Sequence, residues 1–275
     1  MWKRSELKKR AKEVLRRYFW GAVVVCLISG ILAGEYGVPS FGGNNYGNVY
    51  NTGESNSVLD SARGILDGNS DSGIGRVTNQ VGSGLASLMN AGLLSIFVIF
   101  GIGIFIFAFL ISIIIGYPIL VGSKRFFMQS REEKTGVGTV FYVFKSGHMM
   151  KVIFVMFMRN LKTFLWSLLF IVPGIIKSYE YRMIPYILSE NPEIDMKRAF
   201  ELSREMMTGQ KWKTFVLDIS FILWLILGVF TCGLGNIFFV NPYIAATDAE
   251  LYAVLRGHIL NNGYCNTYEL PGYRS

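Results

Sequence analysis

The stretch "IVPGIIKSYEYRMIPYILSENPE", residues 171–193, decides the fold class. Its ends are apolar enough for hydrocarbon, yet Lys177, Glu180 and Arg182 sit between Pro173 and Pro185. A soluble core helix with a wet face, a loop, and a membrane helix that hides its charges could each contain it. The flanking sequence chooses among them. From Leu85 to Ser123 no residue is charged. About 20 apolar residues suffice to cross a bilayer, and a globular core helix of such length would show a polar face. The 275-residue chain is 51% hydrophobic and 17% charged, against about a quarter charged in soluble domains. Its mean hydropathy is +0.37. The chain reads as an integral membrane protein, and residues 175–190 as one of its crossings. Lys177 and Glu180 are three apart, so they can meet on one helical face. Lys177, nearer the outer end, can snorkel. Glu180 and Arg182 lie deeper and are expected to face other helices or water.

The net charge of +8 is carried by bases that flank the apolar runs. That is the positive-inside pattern of a membrane protein, not a nucleic-acid-reading surface. Residues 5–18, "SELKKRAKEVLRRY", place Leu7, Ala11, Val14, Leu15 and Tyr18 on one face and Lys8, Lys9, Lys12 and Arg16 on the other. Residues 1–17 are therefore expected as a cytoplasmic amphipathic helix on an anionic surface. A retained first crossing, 18–34, fits better than a cleaved signal, because no small-x-small site follows. Residues 35–84 are rich in Gly, Asn and Ser, with Arg63 and Arg76 as their only bases, and are expected outside the cell. The second crossing falls within 88–122. Lys124, Arg125, Arg131 and Lys134 then mark the cytoplasm, and "VGTVFYVF" offers Val137, Val140, Phe141 and Phe144 as one helical face. The third crossing spans 151–172, with Pro173–Gly174 as the outer turn and the 175–190 crossing as its return. After it, Asn191 reads as an N-cap and Pro192 as the first helical residue. Met196, Ala199, Phe200, Ser203 and Met207 share one face of that helix, and Gly209 ends it. Crossings at 212–231 and 236–255 complete the count, followed by a cytoplasmic tail, 257–275.

The expected fold is all-α. It is a polytopic helical bundle over 18–256, with about six transmembrane helices arranged as three hairpins, each preceded by an amphipathic interfacial helix. An internal repeat supports the hairpins. Trp166 precedes Pro185 by 19 residues, and Trp224 precedes Pro242 by 18. Pro118 ends the second crossing in a related "GYPIL". The three prolines are expected as helix kinks near the cytoplasmic side, shaping the bundle or surrounding a cavity. Arg159 and Asp218 occupy near-equivalent places before Trp166 and Trp224, which suggests an interhelical pair. Asn160, Lys162, Asn241, Asp248 and Glu250 are further polar candidates, the two acids with a wet interfacial role. Arg159, Asp218, Glu180, Arg182 and Lys177 form the candidate intramembrane path.

No catalytic triad, phosphate loop, zinc motif or paired catalytic carboxylates can be assembled. Cys26, Cys232 and Cys265 have no metal-ligand spacing or disulfide framework. "DGNSDSG", 67–73, misplaces the glycine of a calcium loop and has Thr78 where a glutamate is needed. "GIGIF", 101–105, reads as helix packing through small residues. No enzyme, cofactor or metal is expected.

"LLFIVPGIIKSYEYRMIPYILSENPEIDMKRAFELSREMMTGQKWKTFVLDISFILW", followed by "NPYIAATDAELY", resembles a bacterial membrane-protein family catalogued as domain of unknown function 975. The likeness covers roughly 120–256 and extends to the basic N-terminal helix. A looser similarity exists to the membrane domain attached to some glycerophosphodiester phosphodiesterases, whose catalytic domain has no counterpart here. The resemblance implies a location in the bacterial plasma membrane and no established reaction. The expected role is accessory and non-enzymatic: binding membrane lipids or a membrane-protein partner. The alternative is a small transporter or channel that uses the intramembrane charges.

Overall fold

The computed structural model describes residues 2–34, 73–133, 135–231 and 233–273. Residues 35–72 of the expected outer segment 35–84, the calcium-like loop apart from Gly73, and Cys232 lie outside the described residues. The chain divides into two units, Met1–Pro39 with Leu110–Ser275, and Ser40–Phe109. Every regular element among the described residues is helical.

Helix α1 spans Arg4–Ala33 and breaks helical geometry at Tyr18 (φ −129°, ψ 30°). The break falls where the amphipathic pattern gives way to the apolar one. Leu7, Ala11 and Leu15 are buried before it, and Ala22, Val25 and Cys26 after it. Gly34, at φ 65°, ends the helix in the left-handed conformation a glycine adopts without strain.

Helix α2, Gly73–Gln129, carries the charge-free run and holds Pro118 inside it. Ile99, Phe100, Phe105 and Phe107 are exposed, whereas Ile119, Val121, Phe126 and Phe127 are fully buried. Among the described residues a Cβ at Gly101 or Gly103 would meet no atom within 4 Å. A Cβ at Gly122 would collide with the Val140 carbonyl. That carbonyl belongs to a 3-10 turn, Val137–Phe141, which runs into the short helix α3, Tyr142–Lys145. Val140 and Val143 are buried while Phe141 and Phe144 are exposed. The face expected from "VGTVFYVF" is therefore rotated. A 3-10 turn advances by a third of a circle per residue instead of 100°.

Helix α4, Met149–Leu169, buries Val152, Ile153, Val155 and Met156 and then exposes Phe164, Leu165, Leu168 and Leu169. The turn into helix α5, Ile171–Glu180, is made by extended Phe170 (φ −155°, ψ 143°), not by Pro173–Gly174. Pro173 stands in the first turn of α5, where a backbone donor has no intrahelical partner to lose. The return expected as one crossing, 175–190, is two helices. α5 stops at Glu180, and α6, Ile184–Glu190, starts with Pro185 in its first turn and is buried throughout. Asn191 is not the next N-cap. Its Oδ1 accepts from the Glu193 amide at 3.0 Å, and Asp195 caps helix α7, Met196–Met207, by accepting from the Lys197 amide at 3.0 Å. The helix starts one turn later than Asn191 and Pro192 predict. The inward face of α7 is as expected, with Ala199, Phe200, Ser203 and Met207 buried and Leu202 and Met206 beside them. Gly209, at φ 70°, follows its end.

Helix α8 spans Lys211–Phe230. A π-helical turn, Asn236–Val240, leads into helix α9, Asn241–Asn261, with Pro242 in its first turn. Pro118 lies inside α2, Pro185 opens α6 after the break, and Pro242 follows directly on the π-helical turn in continuous helical backbone. Arg4–Ala33, Ile99–Gln129 and Met149–Leu169 are long and apolar enough to cross a membrane. Cys265, Leu270 and Tyr273, beyond α9, are buried in the same core as Leu7 and Tyr252.

Candidate functional site

The residues singled out from the sequence converge on two charge clusters, both built around the break between α5 and α6. At the end of α5, the Glu180 carboxylate is nearly inaccessible, with 5% of its side chain exposed. It accepts from Lys177 Nζ at 3.1 Å, as the three-residue spacing predicts. It also accepts from Arg204 Nε of α7 at 2.6 Å and Lys211 Nζ of α8 at 3.0 Å. Ser203 Oγ donates to the Glu180 carbonyl at 2.7 Å. One carboxylate with three cations thus ties three helices together. Arg204 flanks the inward face of α7 next to Phe200, and its long stem carries the guanidinium to Glu180.

Two residues on, Arg182 occupies the break itself. It donates to both Asp218 oxygens, from Nη2 to Oδ1 at 3.0 Å, and from Nη2 to Asp248 Oδ1 at 2.8 Å. Tyr179 Oη donates to Asp218 Oδ2 at 2.7 Å. The bidentate partner of Asp218 is therefore Arg182, where matched repeat positions had pointed to Arg159. Arg159 Nε donates to the Tyr181 carbonyl at 3.1 Å, one of the backbone acceptors the break exposes. Asp248, expected in a wet interfacial place, lies against Arg182. Tyr179 carried no sequence signal as a ligand of this set. A cleft of about 440 Å³ opens beside the cluster, lined by Lys124, Arg159, Asn160, Ser178, Arg182 and Asp248 among others.

A third cluster escaped the sequence reading. Glu190, at the end of α6, has no exposed side-chain surface. It accepts from Tyr252 Oη at 2.7 Å, Arg256 Nε at 2.7 Å and the Gly272 amide at 2.6 Å. The same tail is held by Glu269, which pairs with Arg198 Nε at 2.7 Å, and by a 2.8 Å hydrogen bond between the Ser189 and Tyr273 hydroxyls. The Arg198 hydrogen bond holds the Glu269 carboxyl below the usual carboxylate range, against the opposing pull of burial. Residues after 256, read as a tail, are in part core. Nothing in a Gly- and Tyr-rich tail marks a backbone amide as the partner of a buried carboxylate.

Among the described residues no group of His, Cys, Asp and Glu side chains could hold a metal ion. The acids are instead ringed by Lys and Arg. An all-helical chain with long, outward-facing apolar helices and internally tied charges defines the class: a helical protein with the features of membrane residence. Residues 93–258 match the family described as Protein of unknown function (DUF975), and the chain belongs to that family. No curated protein and no solved structure matches it.

Proposed function

We propose that this chain is a multi-pass protein of the bacterial plasma membrane, with six crossings in three hairpins and both termini in the cytoplasm. In this reading it catalyses no covalent reaction and holds lipid, or another membrane protein, against the inner leaflet. The observation that carries it is the mutual pairing of the deep charges. Glu180 has Lys177, Arg204 and Lys211, and Arg182 has Asp218 and Asp248. Such ties join helices and give each of these deep carboxylates a cation at hydrogen-bonding distance. Six crossings are supported by the exposed apolar side chains of α5 and α8, Ile171, Val172, Leu223 and Phe230 among them. They would otherwise face water.

The cleft beside Arg159 and Asn160 favours a second reading, a small transporter whose path passes Asp218 and Arg182. Flux of ions and small solutes into proteoliposomes, measured for the parent and for Asp218→Asn, decides between them. The accessory reading expects no flux that depends on Asp218. A solute whose entry falls with Asp218→Asn overturns it.

A further inference from the structure

An open cleft between the start of α1 and the first half of α8 differs in chemistry from the cleft at Arg182. It holds about 620 Å³ and is lined by four cations, Lys3, Arg4, Lys8 and Lys213, between the indoles of Trp2 and Trp212. No acidic side chain is among the residues that line it. Arg131, Arg182, Arg198, Arg204 and Arg256 each rest on a carboxylate.

The convergence is built, not incidental. Trp2 Nε1 donates to Gln210 Oε1 at 3.1 Å, which ties the residue before Lys3 to the residue before α8. Lys8 Nζ donates to Ser220 Oγ at 2.7 Å and sits 4.1 Å from the centre of the Phe221 ring. Leu7 and Ala11, on the same helix as Lys8, are buried. Trp212 stacks obliquely on Phe215, with 5.3 Å between ring centres. Like charges gathered without a counter-charge repel one another, and an anion between them removes that repulsion. Indoles favour the headgroup depth of a bilayer, and Lys and Arg beside them favour its anionic lipids.

We propose that this cavity binds the phosphate of an anionic phospholipid headgroup, with Lys3, Arg4, Lys8 and Lys213 as its cations and the two indoles beside the glycerol region. The proposal rests on the reading that the protein works at the inner leaflet, and it names the ligand held there.

The test uses the full chain in nanodiscs or detergent, with native mass spectrometry counting retained lipid. Phosphatidylglycerol and phosphatidylcholine are titrated against the parent, against the triple variant Lys3→Ala, Arg4→Ala, Lys213→Ala, and against a charge-matched control, Lys145→Ala, Lys151→Ala, Lys197→Ala. The three control lysines are exposed, lie on α3, α4 and α7, and do not line the cavity. The parent and the control are expected to retain phosphatidylglycerol in preference to phosphatidylcholine, and the triple variant to lose at least about tenfold in that retention. Equal loss in both variants, or equal retention of the two lipids, overturns the proposal. Displacement of the lipid by soluble glycerol phosphate at matched concentration also overturns it, because the ligand is then a free phosphate ester. Unchanged thermal unfolding of the triple variant separates lost binding from lost fold. Asp218-dependent flux would defeat the accessory reading and leave these lipid counts as they are. Conversely, a failed lipid test with silent flux removes this site alone.

Discussion

Removing the Arg182 guanidinium takes away the cation that bridges Asp218 and Asp248, and leaves Tyr179 donating to one of two repelling carboxylates. Breaking a partly buried ion pair from one side costs about 3 kcal/mol, because the remaining charge is left uncompensated. Arg182→Met is expected to lose that much stability, seen as an earlier thermal unfolding of the purified protein in detergent. Asp218→Asn, which leaves Arg182 with Asp248, loses less. Adding Asp218→Asn and Asp248→Asn to Arg182→Met recovers much of the loss, since no unpaired charge remains. An Arg182→Met protein that unfolds with the parent would show that the triad holds nothing together. At this scale the sequence was legible where partners share a helix. Lys177 and Glu180 meet as their spacing requires. It was illegible where partners come from different helices. Arg159 and Arg182 are equally plausible donors to Asp218 by composition, and only the register of α5 and α6 against α8 selects Arg182. The break at Tyr181–Met183 sets that register.

Among the elements, α7 and the segment after α9 form a unit whose strength depends on pH. Glu269 is held below the ordinary glutamate range first by its hydrogen bond from Arg198, with burial opposing. A carboxyl with a lowered folded-state value contributes stability above its unfolded value and loses it as pH falls through the folded one. The Arg198–Glu269 tie therefore contributes fully at neutral pH and fades in acid, below the usual carboxylate range. Glu269→Gln is expected to destabilise the attachment at pH 7 and to matter progressively less as the parent's own Glu269 protonates. Hydrogen exchange of residues 262–273, followed from pH 7 downward in both proteins, reads this directly. Equal exchange at pH 7 would remove the tie from the account. The helical character of α7 and its inward face were visible in its period, as was the break at Tyr18 in α1, where an amphipathic pattern meets an apolar one. Turns were less visible. Phe170 makes the α4–α5 corner although Pro173–Gly174 looks made for it, because a proline is also welcome in a helix's first turn. The attachment after α9 was hidden for a different reason. Two of its anchors are backbone groups, the Gly272 amide and the Leu270 carbonyl, which every sequence possesses.

For the whole molecule, the number of crossings has a consequence of parity. The three helices that meet length and composition alone, Arg4–Ala33, Ile99–Gln129 and Met149–Leu169, would leave the two termini on opposite sides of the membrane. Six crossings return both to one side. The second count requires the α5–α6 return, and α8 with its own return, to pass through lipid. Ile171, Val172, Ile175 and Ile176 of α5 are exposed, as are Ile222, Leu223, Leu227 and Phe230 of α8. Continuous apolar surface of this kind is unfavourable in water by about 25 cal/mol for each Å². The charges that follow on α5 and α6 are drawn inward to Arg204, Lys211, Asp218 and Asp248, which removes the main cost of burying that return in a membrane. The bases among 197–213 then fall on the same side as those before Tyr18. Epitopes fused at each end of the full chain and inserted after Glu54 are expected to separate accordingly in intact and permeabilised cells. The Glu54 epitope is reached in intact cells, and both terminal epitopes only after permeabilisation. A C-terminal epitope reached from outside, with the N-terminal one protected, would fix an odd number of crossings and break the three-hairpin architecture at its last two members.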